Sequence, residues 1–197
     1  MLVKVILIFS LAYLLGSIPF GYLIALLFKI DIRKHGSGNI GATNVFRTLG
    51  PLAGTSVFIL DLLKGTLAVA AARIMIGDAW FVILAALAVV LGHTFSLFLK
   101  FKGGRGAATS LGTLLGVAPD IFVAAALLVA AIIYITRYVS VASITVPMLV
   151  TLAMYFLNRP LPYTIACALV SALIILRHIP NIKRLLAGTE SKVGTKK

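Results

Sequence analysis

Residues 36–50 read GSGNIGATNVFRTLG and lie between two long apolar runs. This stretch is rich in glycine and carries two asparagines and one arginine, Arg47. Glycines let successive backbone N–H groups converge on a small concavity, which suits an anion. A helix that begins near Asn44 would place its positive end there, and Arg47 would add a bidentate guanidinium. The stretch predicts a phosphate site; the alternative is a glycine-rich helix connection that binds no ligand.

The same stretch differs from a nucleotide-binding P-loop. From Gly36 to Thr43 it reads Gly, four residues, Gly, Ala and Thr, whereas a P-loop has lysine and then serine or threonine after its second glycine. The lysine is missing, no acidic residue is placed to assist a nucleotide-bound metal, and no strand precedes the loop. We therefore predict phosphate binding without nucleotide hydrolysis.

The composition indicates a membrane protein. Hydrophobic residues make up 61% of the chain, the mean hydropathy is +1.11, and apolar runs recur at about 20 residues, the length that crosses a bilayer. We predict an all-α, polytopic integral membrane protein with about seven transmembrane helices in a single membrane-embedded domain, residues 1–197. The predicted helices cover about residues 2–28 (bent near Gly16, Ser17 and Pro19), 51–76, 79–99, 107–118 (short), 120–136, 139–157 and 161–176.

The charge distribution predicts the orientation. The chain has 18 lysines and arginines against five acids, a net charge of +13. Positive-inside topology and anionic lipid explain this excess, so we expect no nucleic-acid partner. Seven segments with the N-terminus outside and the C-terminus in the cytoplasm place 14 of the 18 cations on the cytoplasmic side. Three polar segments, about residues 36–50, 100–112 and 177–192, would then face the cytoplasm and could share a pocket.

The second and third polar segments repeat features of the first. The second begins KFKGGRG just before the short apolar run, so glycines, cations and a helix start occur together. The third contains His178, Asn181 and Glu190. Such groups suit phosphate monoesters bound at a membrane surface.

Ionisable residues also occur inside the predicted helices. Asp61 and Lys64 are three residues apart and therefore share one helical face. Groups at that depth face the interior of a helix bundle and are functional candidates. A mutually neutralised structural pair is the alternative, and the sequence leaves both open.

Several other site classes are absent from the sequence. The three histidines and five acids show no metal-ligand spacing, so we predict no metal and no cofactor. No Gly-x-Ser-x-Gly motif of a serine hydrolase occurs. The single cysteine, Cys167, lies in an apolar run and excludes a disulfide framework.

Three motifs carry a family resemblance. SGNIGATNVFRTLG, FKGGRGAATSLG and RHIPNIKRLLAGTE resemble, in order and spacing, the cytoplasmic motifs of the bacterial acyl-phosphate-dependent glycerol-3-phosphate acyltransferases. The likeness extends to residues 61–65, to Gly92 and His93, and to residues 137–143. It implies a seven-helix enzyme of the bacterial inner membrane with a cytoplasmic active site. Such an enzyme moves a fatty acyl group from acyl phosphate to the 1-position of glycerol 3-phosphate, giving lysophosphatidate and phosphate in phospholipid biosynthesis.

The resemblance also implies residue roles. Catalytic roles fall on Ser37, Arg47, His178 and Asn181. Substrate-binding roles fall on Gly38, Asn39, Gly41, Thr43 and Asn44 in the first motif and on Lys102, Gly103, Gly104, Arg105, Gly106, Thr109 and Ser110 in the second. Supporting roles fall on Asp61, Lys64, His93 and Glu190. The chain departs from the family pattern at Arg105, where lysine is more common, and at Ser96, near the end of the third predicted helix, where proline is usual.

The implied partners are glycerol 3-phosphate, fatty acyl phosphate and membrane lipid, and the soluble enzyme that makes acyl phosphate is a candidate partner. No histidine is followed five positions later by aspartate, the dyad of acyl-CoA-using enzymes. The proton acceptor is therefore either a phosphate oxygen of a substrate or His178. The alternatives from other classes are a membrane transporter of a phosphorylated solute and a non-catalytic scaffold that binds lipid head groups.

Overall fold

A computed structural model describes residues 2–194, and this part of the chain is helical with no β-strand. The predicted all-α class is confirmed. The chain forms two compact units, Met1–Val117 and Ala118–Lys197. The first unit contains α1 (Leu2–Ser17), α2 (Phe20–Leu27), α3 (Ala42–Leu49), α4 (Pro51–Met75), α5 (Ala79–Thr94) and α6 (Ala107–Val117), with 3-10 helices at Ile32–Lys34 and Leu97–Leu99. The second contains α7 (Pro119–Thr136), α8 (Val139–Phe156), α9 (Leu161–Arg177) and α10 (Ile179–Leu186).

The first apolar segment breaks where the sequence predicts a bend. Ile18 and Pro19 separate α1 from α2, because proline has no backbone N–H and restricts the residue before it. The buried Ser96 hydroxyl donates a hydrogen bond of 2.5 Å to the Ser17 carbonyl at this break. The prediction that the third helix continues to residue 99 is wrong, because Ser96 pairs with the break and a 3-10 turn follows.

Glycines bring the helices of the first unit close together. A Cβ atom at Gly16 would overlap the Val89 carbonyl, and one at Gly92 would overlap the Tyr13 carbonyl, so α1 and α5 touch through their backbones. A Cβ at Gly112 of α6 would likewise overlap the Leu62 carbonyl of α4. Small residues allow this approach, which supplies van der Waals contact where the surroundings are equally apolar.

The segment between α2 and α4 folds onto a small apolar core. Ile32, Ile40 and Val45 are buried together with Ala53 and Val57 of α4. Leu99, one residue before the second polar segment, belongs to the same core. The beginning of the second polar segment therefore lies beside the first.

The second unit is a run of packed neighbours. The helix α8 packs against α7 and α9, and α10 packs against α9. The axes of α9 and α10 differ by 55°, and Pro180 stands in the first turn of α10, where its missing N–H costs nothing.

Neither α10 nor α3 is among the seven predicted helices, although each of those seven segments contains a helix in the structure.

Among residues 2–194, four stretches can cross a membrane by length and composition: Leu2–Leu27, Ala79–Leu99, Pro119–Thr136 and Val139–Phe156. The bent pair of α9 and α10 makes a fifth if it counts as one span. The eleven residues of α6 extend only about 16 Å, against about 30 Å of hydrocarbon. The number of seven spans and the orientation of the termini stay predictions.

The close approach of α4 and α6 yields a first prediction. We expect Gly112→Ala to lower stability by about 1–3 kcal/mol, because its new methyl group overlaps the Leu62 carbonyl and the two helices must separate. Thermal unfolding in detergent measures this change. Ala71→Val adds a larger group on the exposed side of α4 and is the matched control; equal effects of the two substitutions would contradict the packing argument.

Candidate active site

The side chain of Asn44 organises the first polar segment. It is 2% exposed, and its Nδ2 donates to the carbonyls of Asn39 at 2.8 Å, His35 at 3.0 Å and Ile32 at 3.4 Å. Its Oδ1 accepts from the backbone N–H of Ser37 at 2.9 Å. One amide thus contacts four backbone groups between residues 32 and 39, and it sets the path of the chain from the 3-10 helix to the start of α3.

The glycines of this segment follow from the same arrangement. Gly36 has a φ of +58°, and a Cβ atom there would overlap the Asn44 oxygen. Gly38 has a φ of +70°, a region that other residues adopt rarely. Gly41 precedes α3, whose first turn contains Thr43 and whose last turn contains Arg47. Helix formation begins at Ala42, two residues before the predicted start.

The segment presents several of the predicted residues at its surface. Ser37 and Arg47 are exposed, whereas Asn39 and Thr43 are half-buried. The N-terminal end of α3 carries partial positive charge and N–H groups without helical partners. The chemistry available to a ligand is therefore the hydroxyl groups of Ser37 and Thr43, the amide of Asn39, the guanidinium of Arg47 and a helix start.

The second polar segment folds back onto the end of α5. The N–H of Gly103 donates to the Thr94 carbonyl at 3.1 Å, and the N–H of Gly104 donates to the His93 carbonyl at 3.0 Å. Lys102 is exposed and Arg105 is half-buried. Gly106, with a φ of +88°, leads into α6, so both cations stand beside the positive end of that helix.

Two hydroxyl residues of α6 face different surroundings. The Ser110 hydroxyl donates to the Gly106 carbonyl at 2.8 Å. Thr109 is fully buried, and its hydroxyl has no hydrogen-bond partner among residues 2–194. Buried hydroxyl groups are normally paired, so Thr109 retains a donor and an acceptor next to the glycine-rich turn.

The structure corrects one expectation about the backbone. We expect from the sequence that the glycine-rich turns aim their N–H groups at an anion, but the N–H groups of Gly103 and Gly104 are donated to α5. In the first segment, Ser37 donates to Asn44, and Gly38 donates to the His35 carbonyl at 3.0 Å. These four N–H groups hold the turns in shape and are not directed at a ligand; side chains and the starts of α3 and α6 are available to one.

Asp61 and Lys64 form a cluster with a third group. The Lys64 Nζ lies 2.7 Å from Asp61 Oδ1 and 2.8 Å from His93 Nδ1. All three residues are at most 5% exposed. Sequence spacing alone shows the pair on α4, but it does not show that His93 of α5 completes it. In the part of the chain that the structure describes, no group of three or more His, Cys, Asp or Glu side chains could hold a metal ion.

The third polar segment lies in the second unit. His178 stands between α9 and α10 and is 4% exposed; its Nδ1 lies 2.8 Å from the Ile174 carbonyl. Because a carbonyl only accepts hydrogen bonds, Nδ1 carries a proton, and Nε2 is the basic nitrogen of the neutral ring. The structure therefore defines which atom of His178 could take a proton.

Glu190 holds the tail against α10. Its carboxylate accepts hydrogen bonds from Asn181 Nδ2 at 2.7 Å and Arg184 Nε at 2.6 Å. Burial raises the pKa of Glu190, but these hydrogen bonds outweigh burial and bring the pKa below its usual range. Arg184 is not among the predicted residues, although its spacing of three from Asn181 on one helix was an available signal.

The comparisons with known proteins agree with this arrangement. Residues 6–188 match the family described as glycerol-3-phosphate acyltransferase. The chain belongs to this family. A glycerol-3-phosphate acyltransferase 2 of Moorella thermoacetica is 45% identical over 184 residues, 93% of this chain and 94% of the relative. A glycerol-3-phosphate acyltransferase of Lacticaseibacillus casei is 46% identical over 191 residues, 95% and 91% of the two chains.

Solved structures give the same result. The crystal structure of PlsY (YgiH), an integral membrane glycerol 3-phosphate acyltransferase, in its glycerol 3-phosphate form has a TM-score of 0.94 and 43% identity, covering 98% of this chain and 96% of the other. The lysophosphatidic acid form has a TM-score of 0.91 and 42% identity, with the same coverage. The chain is thus a membrane acyltransferase of phospholipid synthesis. The transporter and scaffold alternatives find no support.

The central position of Asn44 yields a second prediction. We expect Asn44→Asp to lower stability by about 2–3 kcal/mol and to reduce activity, because it replaces the amide donor with an oxygen that faces three carbonyls. Thermal unfolding and an activity assay measure these changes. Asn158→Asp makes the same substitution at an exposed position and controls for added charge. An Asn44→Asp protein with normal stability would show that the loop does not depend on this amide.

Proposed function

We propose that this protein transfers a fatty acyl group from acyl phosphate to the 1-hydroxyl of glycerol 3-phosphate. The products are lysophosphatidate and inorganic phosphate. The observation that carries the proposal is the likeness to PlsY in both its glycerol 3-phosphate and lysophosphatidic acid forms. The acyl phosphate donor is inferred from the three motifs and from the absence of a His-x4-Asp dyad.

The reaction needs one bond to form and one to break. The 1-hydroxyl oxygen attacks the acyl carbonyl carbon, the bond from that carbon to the phosphate oxygen breaks, and phosphate leaves with the bonding electrons. The hydroxyl proton passes to a phosphate oxygen or to Nε2 of His178. Because phosphate is already a good leaving group, cations and N–H donors that stabilise developing charge supply the main catalytic effect.

The three polar segments would contact the substrates through different side chains. Ser37, Asn39, Thr43 and Arg47 would hold glycerol 3-phosphate, with Ser37 and Arg47 exposed on a turn that Asn44 keeps in shape. The cations of the second segment, Lys102 and Arg105, would bind the acyl phosphate head group at the start of α6, beside Thr109. His178 and Asn181 would contact the substrates from the third segment, with Glu190 orienting Asn181.

The membrane setting follows from charge. Seven spans with the N-terminus outside put most cations and all three motifs on the cytoplasmic face of the bacterial inner membrane. Glycerol 3-phosphate is then taken from the cytoplasm, and the amphipathic donor arrives from the membrane surface. The soluble enzyme that makes acyl phosphate is a partner for which such a surface provides a place to deliver its product.

The donor assay is the direct test. Purified protein receives labelled glycerol 3-phosphate with either palmitoyl phosphate or palmitoyl-CoA, and a chelator is present throughout. We expect labelled lysophosphatidate from the phosphate donor alone. Product from palmitoyl-CoA alone would contradict the proposed donor, and no product from a folded sample with either donor would contradict the proposed reaction.

Steady-state kinetics of a His178 variant can distinguish the two candidate proton acceptors. If a substrate phosphate oxygen takes the proton, we expect His178→Gln to retain a near-normal kcat with a raised KM, since glutamine keeps hydrogen-bonding groups but lacks a basic nitrogen. Loss of a general base lowers the chemical step itself, by about 100-fold or more. Steady-state rates at saturating donor distinguish these cases, and a large fall in kcat at unchanged KM would assign the base to His178.

A further inference from the structure

The ammonium group of Lys64 connects two irregular parts of the first unit. Its Nζ donates to the Gly16 carbonyl at 3.0 Å and to the Ile18 carbonyl at 3.2 Å. The Gly16 carbonyl lies in the last turn of α1 and the Ile18 carbonyl in the break itself, where regular helical partners are missing. The third donor goes to His93 Nδ1 at 2.8 Å. Asp61 Oδ1, 2.7 Å away, is the counter-ion.

This arrangement determines the tautomer of His93. With Lys64 as the ammonium ion paired with Asp61, its nitrogen has donors and no acceptor, so His93 Nδ1 accepts from Lys64 at 2.8 Å and does not donate to Asp61 Oδ1, which lies farther away at 3.5 Å. The neutral ring then carries its proton on Nε2, on the edge away from Lys64. Lys64 therefore holds the imidazole in one orientation and one protonation pattern.

The other edge of the His93 ring lies against the glycine-rich turn. A Cβ atom at Gly104 would overlap His93 Nε2, and it would lie 2.9 Å from Cε1 and 3.1 Å from Cδ2. The backbone of Gly104 is bonded to the His93 carbonyl as well. Backbone and ring of one histidine thus both contact the turn, at Gly103 and Gly104.

Mutual neutralisation does not account for these contacts. A pair that only cancelled charge would need no more than the contact between Asp61 and Lys64. Lys64 instead donates to the Gly16 carbonyl in α1, to the Ile18 carbonyl in the break that follows, and to His93 Nδ1. The cluster joins the α1–α2 break to the turn that carries Lys102 and Arg105.

We propose that Lys64 is a positioning residue for the turn at residues 102–106, acting through His93, and that it thereby sets the affinity for the anionic head group of the acyl donor. The second part of this inference rests on the proposed function, which assigns that turn to acyl phosphate. Lys64 itself touches no substrate in this scheme.

The first experiment replaces the ion pair with neutral residues of similar size. Asp61→Asn with Lys64→Met leaves no unpaired charge but removes the donor to His93. We expect the KM for palmitoyl phosphate to rise about tenfold, the KM for glycerol 3-phosphate to stay within about twofold, and kcat to stay within about threefold. Arg73→Met is the matched control, because Arg73 lies on the same helix and donates to a backbone carbonyl, Gly116, at 2.7 Å.

Different results of this experiment would contradict the positioning role of Lys64 and the proposed function. Wild-type KM values for both substrates in the double variant would overturn the inference. An equal rise in both KM values together with a large fall in kcat would also overturn it, since this indicates general damage. A wild-type protein that makes no lysophosphatidate from palmitoyl phosphate would overturn the proposed function, together with the head-group part of this inference.

The second experiment tests the contact without using the reaction. His93→Asn keeps an acceptor near Lys64 but lacks Cε1 and Nε2, and Gly104→Ala adds the methyl group that meets those atoms. We expect Gly104→Ala to lower the unfolding temperature by several degrees in the wild type and by less than half as much in the His93→Asn protein. Additive effects would show that the ring does not shape the turn.

Discussion

Irregular backbone beside lipid persists only where protein groups satisfy its N–H and C=O groups. In the first unit, a few buried polar side chains do this. Lys64 and Ser96 accommodate the carbonyls at the α1–α2 break, and Asn44 accommodates four groups of the turn before α3. The regular helices could form from apolar sequence alone, but the polar turns between them depend on these side chains.

This constraint changes how the glycine-rich segments are understood. Their N–H groups are partly used to hold the turns, so an anion would be met by side chains and by helix starts. The arrangement resembles a P-loop in composition and differs from it in how the backbone is used. A turn held by its own N–H groups is already ordered before a ligand arrives, and that reduces the entropy lost on binding.

Much of the fold could be predicted because apolar runs and prolines mark helix ends locally. The boundaries of α4 differ from the prediction by one residue, and those of α8 likewise. The third predicted helix ends five residues early, at Thr94, and the chain beyond it is held by a hydrogen bond between Ser96 and Ser17, 79 positions apart. The short amphipathic helices α3 and α10 are not among the predicted helices, because neither contains the long apolar run on which those predictions rest. Asn44 and His93 were both named from the sequence, but their hydrogen-bond partners could not be: the contact between His93 and Lys64 joins residues 29 positions apart on two helices, and the four contacts of Asn44 require a chain path with no periodic pattern.

The backbone contacts of Gly112 with α4, and of Gly16 and Gly92 between α1 and α5, bear on how such a chain can change in evolution. Exposed positions such as Leu63 and Leu67 can exchange one apolar residue for another with little effect, since much of each side chain packs against no other helix. At the glycine positions even a methyl group forces the neighbouring helix to move. Substitutions are therefore accepted mainly on the exposed side of each helix. Related proteins can diverge widely in sequence while the spacing between their helices stays constant.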